Sequence, residues 1–414
     1  MSRVITYGTF DLLHYGHRRL LERAKGLGDY LIVGVTSDDF DRRRGKINTH
    51  QSLMERMEAV RALGLADEVI VEEYDGQKID DIKRYDIDVF TVGSDWEGKF
   101  DYLKEYCDVV YLPRTEGVSS SDIRAEQNDI RIGIVGESGV GKKFAGECEY
   151  VNGVETTHDE NADAVYVVSV PDVHYSDIRH ALLEGRHVIC ESPISTKKSE
   201  CEELFALAKD KGLVLMDGIK PAYATAYSRL LLLVKSGSIG EIRSVDAVCT
   251  SLGDKQYSEG NPEGRWNSIC AWGPTAMLPI FQLLGTEFRE RHIFSTYVDE
   301  AHIYDGFTKI DFVYDNAVAS IKVAKAAKSE GSLVITGTKG YIYVPSPWWK
   351  TDYFEVRYED ATNNKRHFYP LEGEGIRYEV VAFLKSIETG KDYSYVDEKV
   401  SVAIAETIEA CMNK

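Results

Sequence analysis

The sequence has no pair of cysteines at the spacing of a disulfide framework or a zinc ribbon. Its seven cysteines are an odd number, and they are scattered between Cys107 and Cys411 without a CxxC pair. A disulfide-stabilised scaffold and a cysteine-rich zinc site are therefore both disfavoured. We expect a protein of the reducing cytoplasm.

Long apolar runs are also missing. The longest purely aliphatic stretch runs from Leu230 to Val234, far below the about 20 residues that a helix needs to cross a bilayer. The sequence opens with Met1, Ser2, Arg3 and Val4 rather than with an apolar signal region. We expect a soluble, non-secreted protein with no membrane insertion.

Positive charge is scarce relative to negative charge. The 49 lysines and arginines are outnumbered by 68 aspartates and glutamates, which gives a formal net charge of −19. A field of this sign repels the nucleic-acid backbone, so general nucleic-acid binding is disfavoured. The 414 residues leave room for two or three domains, at about 150 residues per domain.

Three regions with different secondary-structure patterns follow one another. Apolar strands alternate with amphipathic helices over residues 1–127 and again over residues 130–235, a pattern typical of parallel sheets covered by helices. Over residues 236–414, short turns such as the one at Tyr314, Asp315 and Asn316 favour antiparallel pairing. The sequence predicts an α/β chain with two Rossmann-like domains, the second truncated, and an α+β domain with an open antiparallel sheet.

A pair of histidines follows the first strand. His14, Tyr15, Gly16 and His17 form an HxGH motif at a strand-to-helix turn, and helix N-termini bind phosphate. Gly16 lets a phosphate approach the backbone closely. Two solvated histidines or a metal site are the alternatives, although the missing third ligand disfavours a metal.

Three blocks carry a resemblance to a known family: residues 3–17 around HxGH, residues 95–101 (DWEGKFD) and residues 112–121 (LPRTEGVSSS). Together they resemble the glycerol-3-phosphate cytidylyltransferase family of HxGH nucleotidyltransferases, over residues 1 to about 124. The resemblance implies attack by a substrate phosphate oxygen on the α-phosphorus of CTP. The products are a CDP-linked compound and pyrophosphate, and no covalent enzyme intermediate forms.

Such a reaction needs groups that neutralise crowded negative charge. We expect Mg²⁺ with CTP, but the sequence does not identify its ligands. The expected catalytic residues are His14, His17, Lys46 and Arg114. The expected CTP-binding residues are Thr9, Phe10, Gly16, Asp95, Thr115, Ser119 and Ser120, and those for the acceptor phosphate are Arg44 and Lys78.

Two departures from the family pattern bear on the acceptor. Arg44 stands where the family commonly has lysine, and an arginine of the family is replaced near Gly64, with Arg61 one helical turn away. The acceptor therefore need not be glycerol 3-phosphate. No residue distinguishes a triose, a pentitol or a hexose phosphate.

A glycine-rich turn opens the second region. Gly136, Ser138 and Gly141 stand in a GxGxxG frame after a strand, whereas Lys143 occupies the place where a P-loop needs Ser or Thr. Residues 169–174, 185–193, 236–242 and 337–344 together resemble the inositol dehydrogenase and glucose-fructose oxidoreductase (Gfo/Idh/MocA) family, over residues 130 to about 391. That family has a Rossmann domain followed by a sheet used for substrate binding and self-association, which implies a homodimer or higher homo-oligomer.

Several of that family's chemical groups are absent from this sequence. Ser192 replaces the lysine of the Glu-Lys-Pro motif, while Ala271 and Thr275 replace an aspartate and a histidine that carry protons. We interpret Lys220 as a solvated lysine near a turn rather than as a replacement cation; His174 is the other candidate.

Cofactor binding by the second region is also in question. The acid expected beyond the glycines is Glu155 or Asp159, and the next strand, at Ala164, leaves no room for the usual intervening helix. NAD(P) binding therefore stays open.

The sequence thus predicts a cytidylyltransferase for a small polyol or sugar phosphate, fused to a dehydrogenase-like domain kept for binding or assembly. CDP-linked polyols imply a role in making capsule, surface polysaccharide or teichoic-acid-type polymers. Two alternatives stay open: a bifunctional enzyme whose second domain reduces a ketose phosphate or its CDP adduct with NAD(P)H, and a second domain that only dimerises.

Overall fold

The computed structural model describes residues 2–43, 49, 51–74, 76–113, 130–151, 153–157, 162–252, 266–369, 371 and 373–413. The chain divides into two compact units, Met1–Asp129 with Tyr150–Gly153 and Ile130–Glu149 with Val154–Lys414. The predicted α/β class is confirmed. The division of the second unit at residue 236 stays a prediction.

The N-terminal unit is built on a parallel five-stranded sheet in the order β3-β2-β1-β4-β5. Its strands are β1 (Arg3–Gly8), β2 (Tyr30–Thr36), β3 (Glu68–Glu72), β4 (Val89–Gly93) and β5 (Asp108–Leu112). The strand order reverses beside β1, because β2 and β3 extend to one side of it and β4 and β5 to the other. In sheets of this kind ligands bind at that reversal, at the carboxyl ends of the strands.

Four described helices accompany this sheet: α1 (Tyr15–Lys25), α2 (Asp38–Arg43), α3 (Leu53–Ala62) and α4 (Gln77–Tyr85). Helix α3 begins with a capping box, in which Ser52 and Glu55 satisfy each other's backbone N–H groups. Buried aliphatic residues from β1, β2 and α3 form one core cluster, and Ile82 of α4 belongs to a second cluster. The sheet is therefore packed with side chains on both faces.

The second unit contains another parallel five-stranded sheet, in the order β10-β9-β8-β6-β7. Its strands are β6 (Ile130–Val135), β7 (Val154–Thr157), β8 (Ala164–Val167), β9 (His187–Glu191) and β10 (Leu215–Gly218). Three helices lie in the described parts of their connections: α5 (Gly139–Cys148), α6 (Pro171–Leu183) and α7 (Lys198–Asp210). Only six residues separate β7 from β8, so the connection is as short as the sequence suggested.

The remainder of this unit forms an eight-stranded sheet in the order β12-β13-β14-β11-β15-β16-β17-β18. All neighbouring strands are antiparallel except β11 and β14, which pair in parallel. The purely antiparallel sheet that we predicted is thus corrected at one pair, because the chain leaves β11 through a long helix before returning to its side. The strands are β11 (Ile242–Thr250), β12 (Glu290–Tyr297), β13 (Asp305–Val313), β14 (Val318–Ala324), β15 (Leu333–Gly337), β16 (Tyr341–Val344), β17 (Tyr353–Arg357) and β18 (Lys365–Phe368).

The described residues of this unit include four further helices: α8 (Thr225–Lys235), α9 (Ser268–Leu284), α10 (Ile376–Thr389) and α11 (Glu398–Met412). Helix α9 lies against β11, β13 and β14 and is largely buried. It contains two internal prolines, Pro274 and Pro279. Helix α11 packs against α9 and α7.

One close approach in the N-terminal sheet can be tested. Gly34 on β2 is paired with Tyr7 on β1, and a Cβ at Gly34 would overlap the ring of Tyr7. The Tyr7 ring is held because its hydroxyl donates to Asp81 at 2.9 Å. We expect Gly34→Ala to lower the free energy of unfolding of this unit by about 1–3 kcal/mol, the usual cost of overpacking.

Denaturant unfolding of the full chain, followed by circular dichroism, measures this cost. Gly93→Ala on β4 is the matched control, because a Cβ there meets no atom within 4 Å. Equal stability of the two variants would contradict the prediction.

Candidate functional site

The loop between β1 and α1 has an unusual backbone. Phe10 and Leu12 have φ values of 53° and 46°, in the left-handed region. Side chains other than glycine seldom adopt that region, and such strain concentrates at functional sites. The loop starts at the carboxyl end of β1, where the strand order reverses.

The two predicted catalytic histidines lie at the end of this loop. His14 is the N-cap of α1, and its Nδ1 accepts a hydrogen bond from the Gly16 N–H at 3.0 Å. This contact assigns the imidazole proton to Nε2 in the neutral ring. The His14 and His17 rings stack with centroids 3.8 Å apart, and Phe10 packs edge-on against His17 at 5.5 Å. The structure therefore brings together four of the predicted residues, including Gly16.

A fully buried arginine fixes the position of this loop. The guanidinium of Arg56 on α3 donates to the carbonyl oxygens of Thr9 at 2.6 Å and Thr36 at 2.9 Å, and it forms an ion pair with Asp38. One planar cation thus joins the ends of β1 and β2 to the start of α2. The sequence analysis did not identify Arg56, and the only available signal was a charged residue on the buried side of a helix.

Gln51 connects the same loop to the start of α3. Its side-chain oxygen accepts from the Leu12 N–H and its own N–H donates to Asp11, both at 3.0 Å. The Thr9 hydroxyl, which we assigned to CTP binding, donates to Asp41 at 3.1 Å. Asp41 and Gln51 lie on either side of the segment with Arg44 and Lys46, and those two predicted site residues lie outside the described residues.

A cavity of about 60 Å³ opens at the carboxyl ends of β1 to β4. Lys78, predicted to bind the acceptor phosphate, lines it as part of a buried ion pair with Glu72. The ammonium also lies over the ring of Tyr7, 4.6 Å from the centroid, and 5.5 Å from the ring centroid of Phe100. The lysine is therefore an internal cation held by a carboxylate, and Glu72 is a residue that the sequence analysis missed.

The other predicted residues of the N-terminal unit are placed as follows. Asp95 is exposed on the turn Ser94–Trp96, directly after β4. Four more, Arg114, Thr115, Ser119 and Ser120, lie outside the described residues.

The glycine-rich turn of the second unit fits part of a dinucleotide site. Gly136 has φ 104°, and a Cβ there would lie 2.5 Å from the backbone nitrogen of Ser169. Gly141 packs closely against Ile134, at 3.2 Å from an added Cβ. Ser138, at the place of the second glycine, uses its hydroxyl to accept from the Gly141 N–H at 3.1 Å and so caps α5. The first and third glycine positions meet the structural demands of the motif, and the second serves as a helix cap.

Two acids, Glu155 and Asp159, were predicted for the ribose. Glu155 is exposed on β7, and the alternative, Asp159, lies outside the described residues.

A cavity of about 580 Å³ runs from the N-terminus of α5 to the carboxyl ends of β9 and β10. The three departures from the dehydrogenase pattern, Ser192, Ala271 and Thr275, all line it. Three tryptophans and four lysines line it as well: Trp266, Trp272, Trp349, Lys143, Lys220, Lys325 and Lys350. Aromatic faces and cations suit a large ligand that carries negative charge.

The structure corrects our interpretation of Lys220 as a solvated residue. Its side chain is only 21% exposed, and Nζ lies 2.6 Å from Glu191 Oε1. Tyr166 donates its hydroxyl to the other oxygen of Glu191 at 2.5 Å. Burial disfavours the charged amine, but Glu191 and Glu379 outweigh burial, so the pKa of Lys220 is raised.

His174, the other candidate for supplying charge, has an internal position. It is completely buried, and its ring nitrogens lie 2.7 and 2.9 Å from the carbonyl oxygens of Pro193 and Ser169. Both ring nitrogens of His174 therefore contact backbone carbonyl oxygens.

Two buried acids lie beneath this cavity. Burial raises the pKa of Glu379 to about 8, and the neighbouring charges of Glu191 and Asp217 act in the same direction against the effect of Lys220. Burial also raises the pKa of Asp217 to about 6, although a hydrogen bond from Ser401 opposes it.

Two absences concern the described residues alone. They contain no group of three or more His, Cys, Asp or Glu side chains placed to hold a metal ion. None of their helices combines the length and the apolar character needed to cross a membrane.

Comparison with known proteins agrees with this division into two units. The Cytidylyltransferase-like family model matches residues 5–126, and the model of the oxidoreductase family with an NAD-binding Rossmann fold matches residues 137–219. The glycerol-3-phosphate cytidylyltransferase of Bacillus spizizenii is 55% identical over 126 residues, which are 30% of this chain and 97% of that protein.

Reductases are found both among the relatives and among the solved structures with a similar fold. The dTDP-3,4-didehydro-2,6-dideoxy-alpha-D-glucose 3-reductase of Streptomyces antibioticus is 38% identical over 104 residues, 25% of this chain and 32% of that protein. The structure of a 3-ketoreductase from Actinomadura kijaniata with NADP and TDP-benzene superposes with a TM-score of 0.57 at 18% identity, covering 68% of this chain and 97% of the other. At 18% identity, this structural similarity shows only that the fold is shared.

The N-terminal unit is thus of the nucleotidyltransferase class, and the second unit contains an oxidoreductase-like domain. The chain belongs to the cytidylyltransferase-like family, with glycerol-3-phosphate cytidylyltransferases among its relatives, and it carries a C-terminal Gfo/Idh/MocA-type oxidoreductase domain.

The raised pKa of Glu379 predicts a pH-dependent stability of the second unit. The carboxyl titrates near pH 8 when folded and near pH 4 when unfolded, so the folded state binds the extra proton between these values. The free energy of unfolding should therefore fall as pH rises from about 5 to 8. We expect Glu379→Gln to flatten this fall, so that the variant is more stable than the parent at pH 8 but not at pH 4.

Thermal unfolding of the full chain from pH 4 to pH 9 measures the effect. Glu388→Gln, an exposed position on the same helix, is the matched control and should follow the parent curve. A parallel pH profile for Glu379→Gln would contradict the assignment.

Proposed function

We propose that the N-terminal unit transfers a cytidylyl group from CTP to the phosphate of a small polyol or sugar, releasing pyrophosphate. The observation that carries this proposal is the stacked His14 and His17 pair at the N-terminus of α1. His14 Nδ1 accepts a hydrogen bond from the Gly16 N–H, which fixes the ring at the helix N-terminus, and in this proposal the ring donates from Nε2 to an oxygen of the α-phosphate. The helix N-terminus adds favourable electrostatic potential for the same anion.

The reaction needs little covalent help from the protein. The acceptor oxygen attacks the α-phosphorus, the bond to the bridging oxygen of pyrophosphate breaks, and negative charge develops on the α-phosphate oxygens. Groups fixed before the reaction stabilise that charge best. Arg56 and Gln51 fix the loop that carries the histidines, because they bind its backbone at Thr9 and Leu12.

The remaining roles follow from the resemblance and stay proposals. Lys46 and Arg114 act with the histidines, and Mg²⁺ accompanies the triphosphate. CTP contacts Thr9, Phe10, Gly16, Asp95, Thr115, Ser119 and Ser120. Arg44 and Lys78 receive the acceptor phosphate.

The cellular setting is likewise a proposal. A cytoplasmic homodimer or higher homo-oligomer would supply a CDP-linked polyol or sugar to the synthesis of capsule, surface polysaccharide or teichoic-acid-type polymers. The relationship to glycerol-3-phosphate cytidylyltransferases supports a precursor of this chemical class.

The histidine pair gives the sharpest test. We expect His17→Ala to lower kcat/KM for pyrophosphate release by a factor equivalent to about 3 kcal/mol or more, the scale of losing a preorganised donor to a developing anion. Pyrophosphate release from CTP is the measurement. His292→Ala, at an exposed histidine of β12, is the control and should leave the rate unchanged.

The acceptor is identified with a panel of triose, pentose and hexose phosphates, polyol phosphates and choline phosphate, each with CTP. We expect activity with a small phosphorylated polyol or ketose, because the cavity at the strand ends is small and its cation is buried. Exclusive activity on choline phosphate, or an undiminished rate for His17→Ala, would contradict the proposal.

A second candidate function belongs to the C-terminal unit: reduction of a ketose phosphate or of its CDP adduct. Lys220 is the observation that favours it, because a cation lies in the same cavity as the three lost groups. A nicotinamide dinucleotide would supply hydride there, with Gly136, Ser138 and Gly141 at its pyrophosphate. The A. kijaniata ketoreductase with NADP has the same fold.

Binding of the cofactor tests this candidate separately. If the unit is a reductase, NADPH should bind and quench tryptophan fluorescence, because Trp266, Trp272 and Trp349 line the cavity. Titration of the full chain with NADPH and NADH measures it. Absence of binding would leave the domain as a binding or dimerisation module.

A further inference from the structure

Lys220 follows a different strand from position 192, where the Glu-Lys-Pro motif would place its lysine. Position 192 follows β9, whereas Lys220 begins a short 3₁₀ turn just after β10. The two strands are parallel neighbours, with Gly218 paired to Glu191. Both residues therefore emerge at the same edge of the sheet, where ligands of parallel sheets bind.

The ammonium is fixed rather than mobile. Glu191 holds it at 2.6 Å, and Tyr166 holds the other oxygen of Glu191 at 2.5 Å. The backbone is also closely packed: Gly375, which has φ 92°, lies so near that a Cβ there would be 2.6 Å from the Lys220 carbonyl oxygen. A second glycine, Gly218, leaves room for the Glu379 carboxyl, whose Oε1 would lie 2.5 Å from a Cβ there.

The charges that surround Lys220 keep it protonated. Glu191 on β9 and Glu374 just before α10 favour the charged amine, and Glu379 on α10 adds to this only where it is itself ionised, above about pH 8. Glu374 is itself paired with Lys143 and Lys350, both at 2.5 Å. Lys220 is thus a preorganised cation with N–H donors, in a cavity that is also lined by Ser192, Ala271 and Thr275.

We infer that Lys220 replaces the missing motif lysine, and that its ammonium donates to the reacting oxygen of a ketose phosphate or its CDP adduct. Glu191 acts as the positioning residue for the amine. This inference rests on the second candidate function. Reduction of a carbonyl needs one hydride at carbon, supplied by NADPH, and one proton at oxygen; Lys220 provides the proton and regains it from solvent.

Variants at positions 192 and 220 test this replacement. We expect Lys220→Met to lower carbonyl-dependent NADPH oxidation by about 10²-fold or more, the scale of losing a general acid. NADPH affinity, measured by energy transfer from tryptophan, should change less than about threefold, because Lys220 acts on the carbonyl substrate rather than on NADPH. Adding Ser192→Lys to Lys220→Met should restore at least part of the turnover, which a purely structural role for Lys220 would not allow.

The assay uses the full chain with NADPH and dihydroxyacetone, ribulose or fructose phosphate, each with and without CTP. Lys385→Met, at an exposed lysine of α10, is the matched control, and thermal unfolding confirms that each variant is folded. If the parent turns over and Lys220→Met turns over equally well, the role of Lys220 is wrong, while the reductase function stands. No NADPH binding or no turnover by the parent overturns the reductase function and the inference together.

Discussion

Parallel pairing of strands is the constraint on which both candidate sites depend. In a parallel sheet all carboxyl ends lie at one edge, so loops far apart in sequence leave the sheet side by side. In the N-terminal unit this brings the loop after β1 next to the ends of β2 and β3. In the second unit it brings Lys220 next to Ser192 across two neighbouring strands.

Each site also contains an internal cation matched by a carboxylate. Arg56 is paired with Asp38, Lys78 with Glu72 and Lys220 with Glu191. Removing one partner of such a pair leaves an uncompensated charge, which is far more destabilising than the loss of an exposed pair. These pairs fix side chains and loops before any ligand binds.

Much of the architecture could be predicted from sequence because strand and helix periodicity is local information. The parallel sheets and the helix after HxGH are found where the pattern placed them, with α1 starting at Tyr15 rather than near Gly16. The parallel pair β11 and β14 was missed, because register between distant strands leaves no local signal.

Side-chain partners were harder to predict for the same reason. A lysine before a proline looks solvated in sequence, yet Lys220 is buried by a glutamate on a neighbouring strand and by a helix more than 150 residues later. Arg56 and Gln51 bind backbone atoms of a loop about 40 residues earlier, and such contacts become visible only once the chain is folded.

The two prolines of α9 bear on how the second unit forms. Pro274 and Pro279 lack the N–H groups that would bond the carbonyls of Cys270 and Thr275, so the helical hydrogen-bond ladder is interrupted twice. A helix interrupted in this way has little stability in isolation, and its apolar residues are buried against β11, β13 and β14. The folding of α9 and the completion of the eight-stranded sheet should therefore be one cooperative event, and the wall of the cavity at Ala271 and Thr275 appears only when that event is complete.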